Sequence, residues 1–261
     1  MKKAAQIKKY LKSKWLVPSL TTLIVLIILL LTLVQARHQG STHVDTPISS
    51  QDQLLVQGEN ISLPLPDSRS GNSIESVLKA RRTRLNFTND SLTLKQVSQL
   101  LWAAQGVNTD WGDRTTPSMK SIYPLTIYLL ANKVDGLDPG EYQYIPGERE
   151  PVHQLKPIKK VELGKALFDL LNQSSFKDIP AVFVVAGDFS KMAEAYGGIS
   201  HTKELYLEAG FAAGNLSLQA ESLKLGTMIS TNFDELKLKE LVTTTATDTI
   251  IYLMPFGIPK Q

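Results

Sequence analysis

Cysteine is missing from all 261 residues. Its absence excludes disulfides, thiolate catalysis and cysteine-ligated zinc or iron–sulfur centres. Histidine is scarce, and the four present (His38, His43, His153 and His201) lack metal-ligand spacing, so no metal site is expected. A Gly-x-Ser-x-Gly elbow, a phosphate loop and a dinucleotide glycine fingerprint are also missing, as is any internal repeat. Positive charge is lacking too once the amino terminus is set aside. The chain carries a formal +3, but six lysines precede residue 15, leaving 22 basic against 25 acidic residues. A mildly acidic body gives a nucleic-acid partner no electrostatic footing.

What is present begins with an uncharged apolar run, Leu16–Val34, long enough to cross a bilayer as a helix, with Pro18 tolerated in its first turn. Lys2, Lys3, Lys8, Lys9, Lys12 and Lys14 crowd its front, so the positive-inside rule puts the N-terminus in the cytoplasm. The expected organisation is a basic cytoplasmic segment (1–15), a transmembrane signal anchor (16–34), an extracytoplasmic linker (35–72) and one folded domain (73–261). Localisation is then single-pass at the cell membrane. The alternative is secretion after cleavage near Ala36, because Val34-Gln35-Ala36 has the small residues a leader peptidase needs.

Past the linker, in which Ile61–Pro66 is expected to lie extended along the surface, the pattern alternates helices and strands. Ser73 can cap a short helix ending at Ala80, and Thr93-x-x-Gln96 is a capping box opening a second helix that stops at Gly106. Strands are expected at Leu125–Ala131, around Tyr142 and Tyr144 after the turn Asp138-Pro139-Gly140, at Ala181–Ala186 and at Thr249–Met254. Further helices are expected over 164–172 and 235–242. The longest helical pattern, Lys203–Leu225, repeats Leu205, Ala209, Ala212, Leu216, Ala220 and Leu223, with Gly226 as its C-terminal cap. Its middle, Ala209-Gly210-Phe211-Ala212-Ala213-Gly214, is small enough for close approach by a neighbour. Gly197-Gly198 reads as a turn.

Three motifs stand in order along the domain: Ala80-Arg81-Arg82-Thr83-Arg84, Leu100-Leu101-Trp102-Ala103-Ala104-Gln105-Gly106, and Pro117-Ser118-Met119-Lys120-Ser121-Ile122-Tyr123-Pro124-Leu125. With Gly136-Leu137-Asp138-Pro139-Gly140-Glu141-Tyr142-Gln143-Tyr144 and the terminal Gly257-Ile258-Pro259-Lys260, they resemble the nitroreductase-like FMN proteins, most closely the thiazoline/oxazoline dehydrogenase-like branch. On their own, the arginines read equally well as solvated charge at a helix end.

The resemblance implies an α+β nitroreductase-like sandwich, a mixed and mostly antiparallel sheet flanked by helices, forming a homodimer with FMN between chains. It implies a flavin-dependent oxidoreductase passing two electrons through N5 to or from a small molecule or peptide, the electron donor being undetermined. Arg81, Arg82, Thr83 and Arg84 would hold the phosphate and ribityl end, with Lys260 as a further phosphate candidate. Pro117, Ser118, Asn215, Ser230 and Thr231 would complete the flavin site, and Tyr196 and Lys120 are the catalytic candidates. Four positions depart from the pattern. Leu85 replaces an arginine, Lys120 replaces a glycine, Ser230-Thr231-Asn232 replaces a glycine-rich stretch, and Ala195 replaces the lysine of the Lys-Tyr pair of azoline dehydrogenases. That last change argues against azoline oxidation. Together they leave open a second reading, an anchored binding or accessory module with a degenerate flavin site.

Overall fold

The computed structural model describes residues 58–148, 152–199 and 201–260. The expected transmembrane segment and most of the linker lie outside the described residues, and among those described no helix is long and apolar enough to cross a membrane.

In chain order the elements are β1 (Ile61–Ser62), α1 (Ile74–Ala80), β2 (Leu92–Thr93), α2 (Leu94–Gln105), β3 (Leu125–Ala131), β4 (Val134–Asp135), β5 (Gly140–Ile145) and β6 (Gln154–Lys159). There follow α3 (Gly164–Leu171), β7 (Ala181–Asp188), α4 (Phe189–Ala195), α5 (Thr202–Ser222), β8 (Gly226–Thr227), α6 (Glu235–Leu241) and β9 (Asp248–Gly257). Seven strands form one sheet in the order β1-β6-β5-β3-β7-β9-β8, every pair antiparallel, while β2 and β4 make a small parallel ladder. The expected α+β sandwich with its mostly antiparallel sheet is the observed one.

Strand alternation sends side chains to two faces, and both are covered. Ile127, Leu129, Phe183, Val185, Met254 and Phe256 pack with α2 and α5. Tyr128, Leu130, Val182, Val184 and Leu253 pack on the other side with α3, Phe176 and α6. The register of β7 against β9 slips between Val185 and Ala186, so Ile250 and Tyr252, two residues apart, face opposite cores. Covering on both faces explains why Ala181–Ala186 is a continuous apolar run, wholly buried.

Both caps form. Ser73 Oγ accepts the Ser76 N–H at 3.2 Å, and Thr93 and Gln96 complete their box at 3.2 and 2.9 Å. Gly226 does not cap α5. The helix stops at Ser222, Lys224 takes the left-handed turn (φ 59°), and Gly226 lies in β8. Its glycine character answers to packing, since a Cβ there would sit 2.8 Å from the Arg84 Cβ. Strand β6 and helix α4 carry no sequence signal of comparable strength. Pro157 interrupts the alternation of β6, and α4 is only seven residues long.

Behind the sheet lies a buried polar group. Glu141, fully buried, faces Lys159 at 3.5 Å and accepts the Thr243 N–H at 2.8 Å. Lys159 also donates to the Leu241 carbonyl. Beside them Tyr128 donates to Asp248 at 2.6 Å and accepts from Thr245 N. These bonds clamp the 242–247 turn to the sheet. Desolvation pushes the Glu141 carboxyl up to about 7, against the opposing pull of Lys159.

Candidate functional site

The sequence-derived candidates fall into two groups. The first forms where the chain after α1 runs beside two other segments. Arg84 N–H donates to the Thr227 carbonyl at 3.0 Å, Thr88 N–H to Ile258 at 2.8 Å, and Lys260 N–H to Asn86 at 3.1 Å. Phe87 and Pro259 bridge between them. Three stretches distant in sequence therefore meet, bringing Arg84 and Lys260 to neighbouring segments, with Arg81, Arg82 and Thr83 immediately before Arg84. All are exposed except Arg81, which is half-buried. Arg82 Nη1 turns back to the Lys79 and Arg81 carbonyls, both at 2.8 Å, so this guanidinium also serves the helix end. Nearby, Thr231 is exposed, whereas Ser230 is buried and donates its hydroxyl to Gln173 Oε1 at 2.9 Å.

The second group surrounds the turn from Pro117 to Pro124. Lys120, Ser121 and Tyr123 all have positive φ (55°, 52° and 49°), three non-glycine residues in the left-handed region within four positions. Each costs roughly 1–2 kcal/mol, and such strain persists only where surrounding contacts over-determine it. Asn215 supplies two of those contacts, donating to Thr115 O and Thr116 Oγ1, both at 3.1 Å. Its amide thus binds the loop. Ser118 Oγ accepts the Tyr123 N–H at 2.8 Å, and Pro117 is exposed.

Lys120 crosses to the end of α4. Its ammonium donates to the Ala195 carbonyl at 3.2 Å and lies 3.8 Å from the centre of the Tyr196 ring. That ring stacks on His201 at 3.7 Å. The two catalytic candidates, 76 positions apart in sequence, are thereby brought together. Gly197 and Gly198 follow with φ of 70° and 87°, the expected turn.

Four more residues join here: Gln105 and Tyr123, which stand in the sequence motifs without a role assigned to them, Arg114, from a polar loop expected at the surface or at the border of a ligand cleft, and Glu208, which reads in sequence as an isolated surface or capping carboxylate. Glu208 is 2% exposed. Gln105 Nε2 donates to it at 3.2 Å, and Arg114 Nη1 donates to Gln105 Oε1 at 2.9 Å. The Arg114 guanidinium lies 4.5 Å over the Tyr123 ring. Burial raises the Glu208 pKa, while the Ser118 hydroxyl, Gln105, Arg114 and Lys191 favour its charged form. Burial lowers the Arg114 pKa, and Glu208 opposes that shift. The available signal was a carboxylate on the buried stripe of α5, one turn before Ala212.

A cleft of about 400 Å³ borders this loop, lined in part by Trp102, Asn108, Thr115, Asn215 and Gln219. A larger hollow of about 460 Å³, walled by Asn132, Lys133, Phe168 and Lys177, shares no residue with either group. Among the described residues no cluster of His, Asp or Glu is arranged to hold a metal.

A profile of the Nitroreductase family matches residues 78–258. The chain belongs to the nitroreductase family. A Methanocaldococcus jannaschii protein named for the nitroreductases is 32% identical over 201 residues, covering 77% of this chain and 98% of the relative. A nitroreductase-type structure from Ralstonia eutropha superposes with a TM-score of 0.64 at 26% identity, over 78% of this chain and 91% of that one. One from Desulfovibrio desulfuricans, crystallised in complex with FMN, superposes at 0.50 with 15% identity, over 74% and 89% of the two chains. FMN is the cofactor of this nitroreductase family. The residues present fit it. Arg84 and Lys260 come from segments that meet, with Arg81 and Arg82 just ahead of Arg84, and guanidinium and ammonium groups are donors suited to a phosphate.

Proposed function

We propose that this chain is a membrane-anchored FMN-dependent oxidoreductase that moves an electron pair through N5 of the flavin, to or from a small molecule or peptide. The observation that carries the reading is that the segment bearing Arg81, Arg82 and Arg84 runs beside the C-terminal segment bearing Lys260 in a nitroreductase fold. FMN supplies the two-electron chemistry, and the protein binds it and sets its surroundings. The arginines and Lys260 hold the phosphate, Thr83 the ribityl end, and the Pro117–Pro124 loop the ring edge. Asn215 acts by fixing that loop, and Thr231 flanks the site. Ser230 contributes backbone only, its hydroxyl being engaged by Gln173. Lys120 brings a positive charge to the ring side, and its contact with Tyr196 holds the phenol at the site as a proton donor.

Two chains complete the site. On α5, Leu207 and Phe211 are 53% and 51% exposed, with Gly210 and Gly214 on the same side. An apolar, low-relief helix face of this kind supports a homodimer. The uncharged run Leu16–Val34 behind six lysines supports anchoring with the domain outside the cytoplasm. The motif order Arg-Arg-Thr, Leu-Leu-Trp and Pro-Ser…Tyr-Pro supports the thiazoline/oxazoline dehydrogenase-like branch, and Ala195 argues against azolines as substrate.

A second reading, a non-catalytic module with an eroded site, draws on Lys120 in a left-handed position where the family pattern has glycine. One experiment separates the two. The full chain, purified and supplied with FMN, is treated anaerobically with a quinol or dithionite and then given a quinone acceptor. The first reading expects a yellow protein that bleaches and recovers through repeated cycles. A chain that takes up no FMN, or binds it without reoxidation by any acceptor, supports the second.

A further inference from the structure

The three left-handed residues of the Pro117–Pro124 loop need a restraint, and backbone hydrogen bonds within the loop are few: Ser121 N–H to Ser118 O at 3.1 Å and Ile122 N–H to Met119 O at 3.3 Å. The side chains around it form a chain of contacts that runs from Glu208 to the loop. Glu208 accepts from Gln105, Gln105 accepts from Arg114, and Arg114 stacks on Tyr123. The Tyr123 hydroxyl meets the Arg114 N–H and Asp113 Oδ1, both at 3.3 Å. The Tyr123 N–H donates to Ser118 Oγ, and the Ser118 hydroxyl faces Glu208 again. Asn215, two turns along α5 from Glu208, grips the loop's entry.

Within these contacts, Glu208 is the carboxylate that compensates the half-buried Arg114. A buried charge without its counter-charge reorganises or draws in water. Ser118 has a second consequence. Its oxygen accepts the Tyr123 N–H, and the Ser121 and Ile122 amides are bonded within the loop, so contacts with a ligand fall to the first half of the loop, whose course these bonds set.

We propose that Glu208 is a positioning residue for the flavin-facing loop, acting through Gln105, Arg114 and Ser118 without touching the cofactor. The proposal rests on the assignment of FMN to this site, and its test has one arm that needs no FMN. In the full chain without cofactor, amide hydrogen exchange is followed at Tyr123 in wild type, Glu208→Gln and Ser118→Ala. The Tyr123 N–H donates to a neutral hydroxyl, a bond worth about fivefold, so Tyr123 exchange should accelerate by about fivefold in Ser118→Ala and in the same direction in Glu208→Gln. Ser118→Ala, which removes the acceptor of the Tyr123 N–H itself, marks the rate of the unanchored amide, and Glu208→Asp, which keeps the charge, keeps the test open if Glu208→Gln folds poorly.

In the second arm FMN is titrated into each protein. Glu208→Gln should weaken FMN binding by about tenfold or more, and Glu208→Asp should recover part of it. Removing Arg114 as well (Glu208→Gln with Arg114→Gln) should restore slow exchange partly, because the uncompensated cation is gone. Unchanged exchange and unchanged FMN affinity in a folded Glu208→Gln protein would overturn the proposal. Altered exchange with no FMN binding even by wild type would leave the loop anchor standing and remove the flavin assignment.

Discussion

At the scale of single residues, charge buried in the wrong place is the most informative feature. Glu141 is raised to about 7 by desolvation, while an unfolded chain would hold it near 4.5. The folded state therefore favours its protonated form. Its contribution is fully present below about 4.5 and is lost as pH rises through about 7. Glu141→Gln should flatten that part of the profile, so the gap in melting temperature between wild type and variant should change between pH 4.5 and 7.5. Parallel curves across that window would show that Glu141 carries no such linkage. Glu208 differs in having several groups that favour its charge, and there the consequence is positional. The partners of neither carboxylate were legible from sequence. Glu141 hides in a hairpin beside tyrosines, and its partner Lys159 belongs to a strand whose alternation Pro157 obscures.

Elements read from sequence were those whose local chemistry and tertiary role agree. The capping box at Thr93 opens α2 as written, and removing it should cost about 1 kcal/mol. Thr93→Ala should lower the melting temperature by roughly 2–4 °C, measured by circular dichroism; no change would mean that packing of Val97, Leu100 and Leu101 alone fixes the helix start. The arginine motif, the Pro-Ser loop and the long helix were each legible as segments. Their side-chain partners were not, because they come from other parts of the chain: Lys120 reaches Ala195, Asn215 reaches Thr115, and Arg84 settles against Gly226. Gly226 illustrates the limit. A glycine just past a helical pattern signals a cap, yet Lys224 takes the turn and the glycine makes room for an arginine stem instead.

For the whole molecule, the nitroreductase fold is shown, and we propose that two copies pair at a membrane. In the dimer we propose, the exposed face of α5 carries the pairing. Phe211→Asp should leave the fold intact by circular dichroism and shift the species seen by light scattering from dimer to monomer, with loss of bound FMN. A dimer that survives the substitution would move the interface elsewhere. Everything else depends on whether the cationic edge holds a phosphate. The direct measurement is an equilibrium titration of the full chain with FMN, comparing wild type with Arg81→Ala/Arg82→Ala. The account predicts one FMN per chain in wild type and an affinity at least about a hundredfold weaker in the variant, as expected for two charge-assisted contacts. Equal affinities in the two proteins, or no binding by wild type, would contradict it.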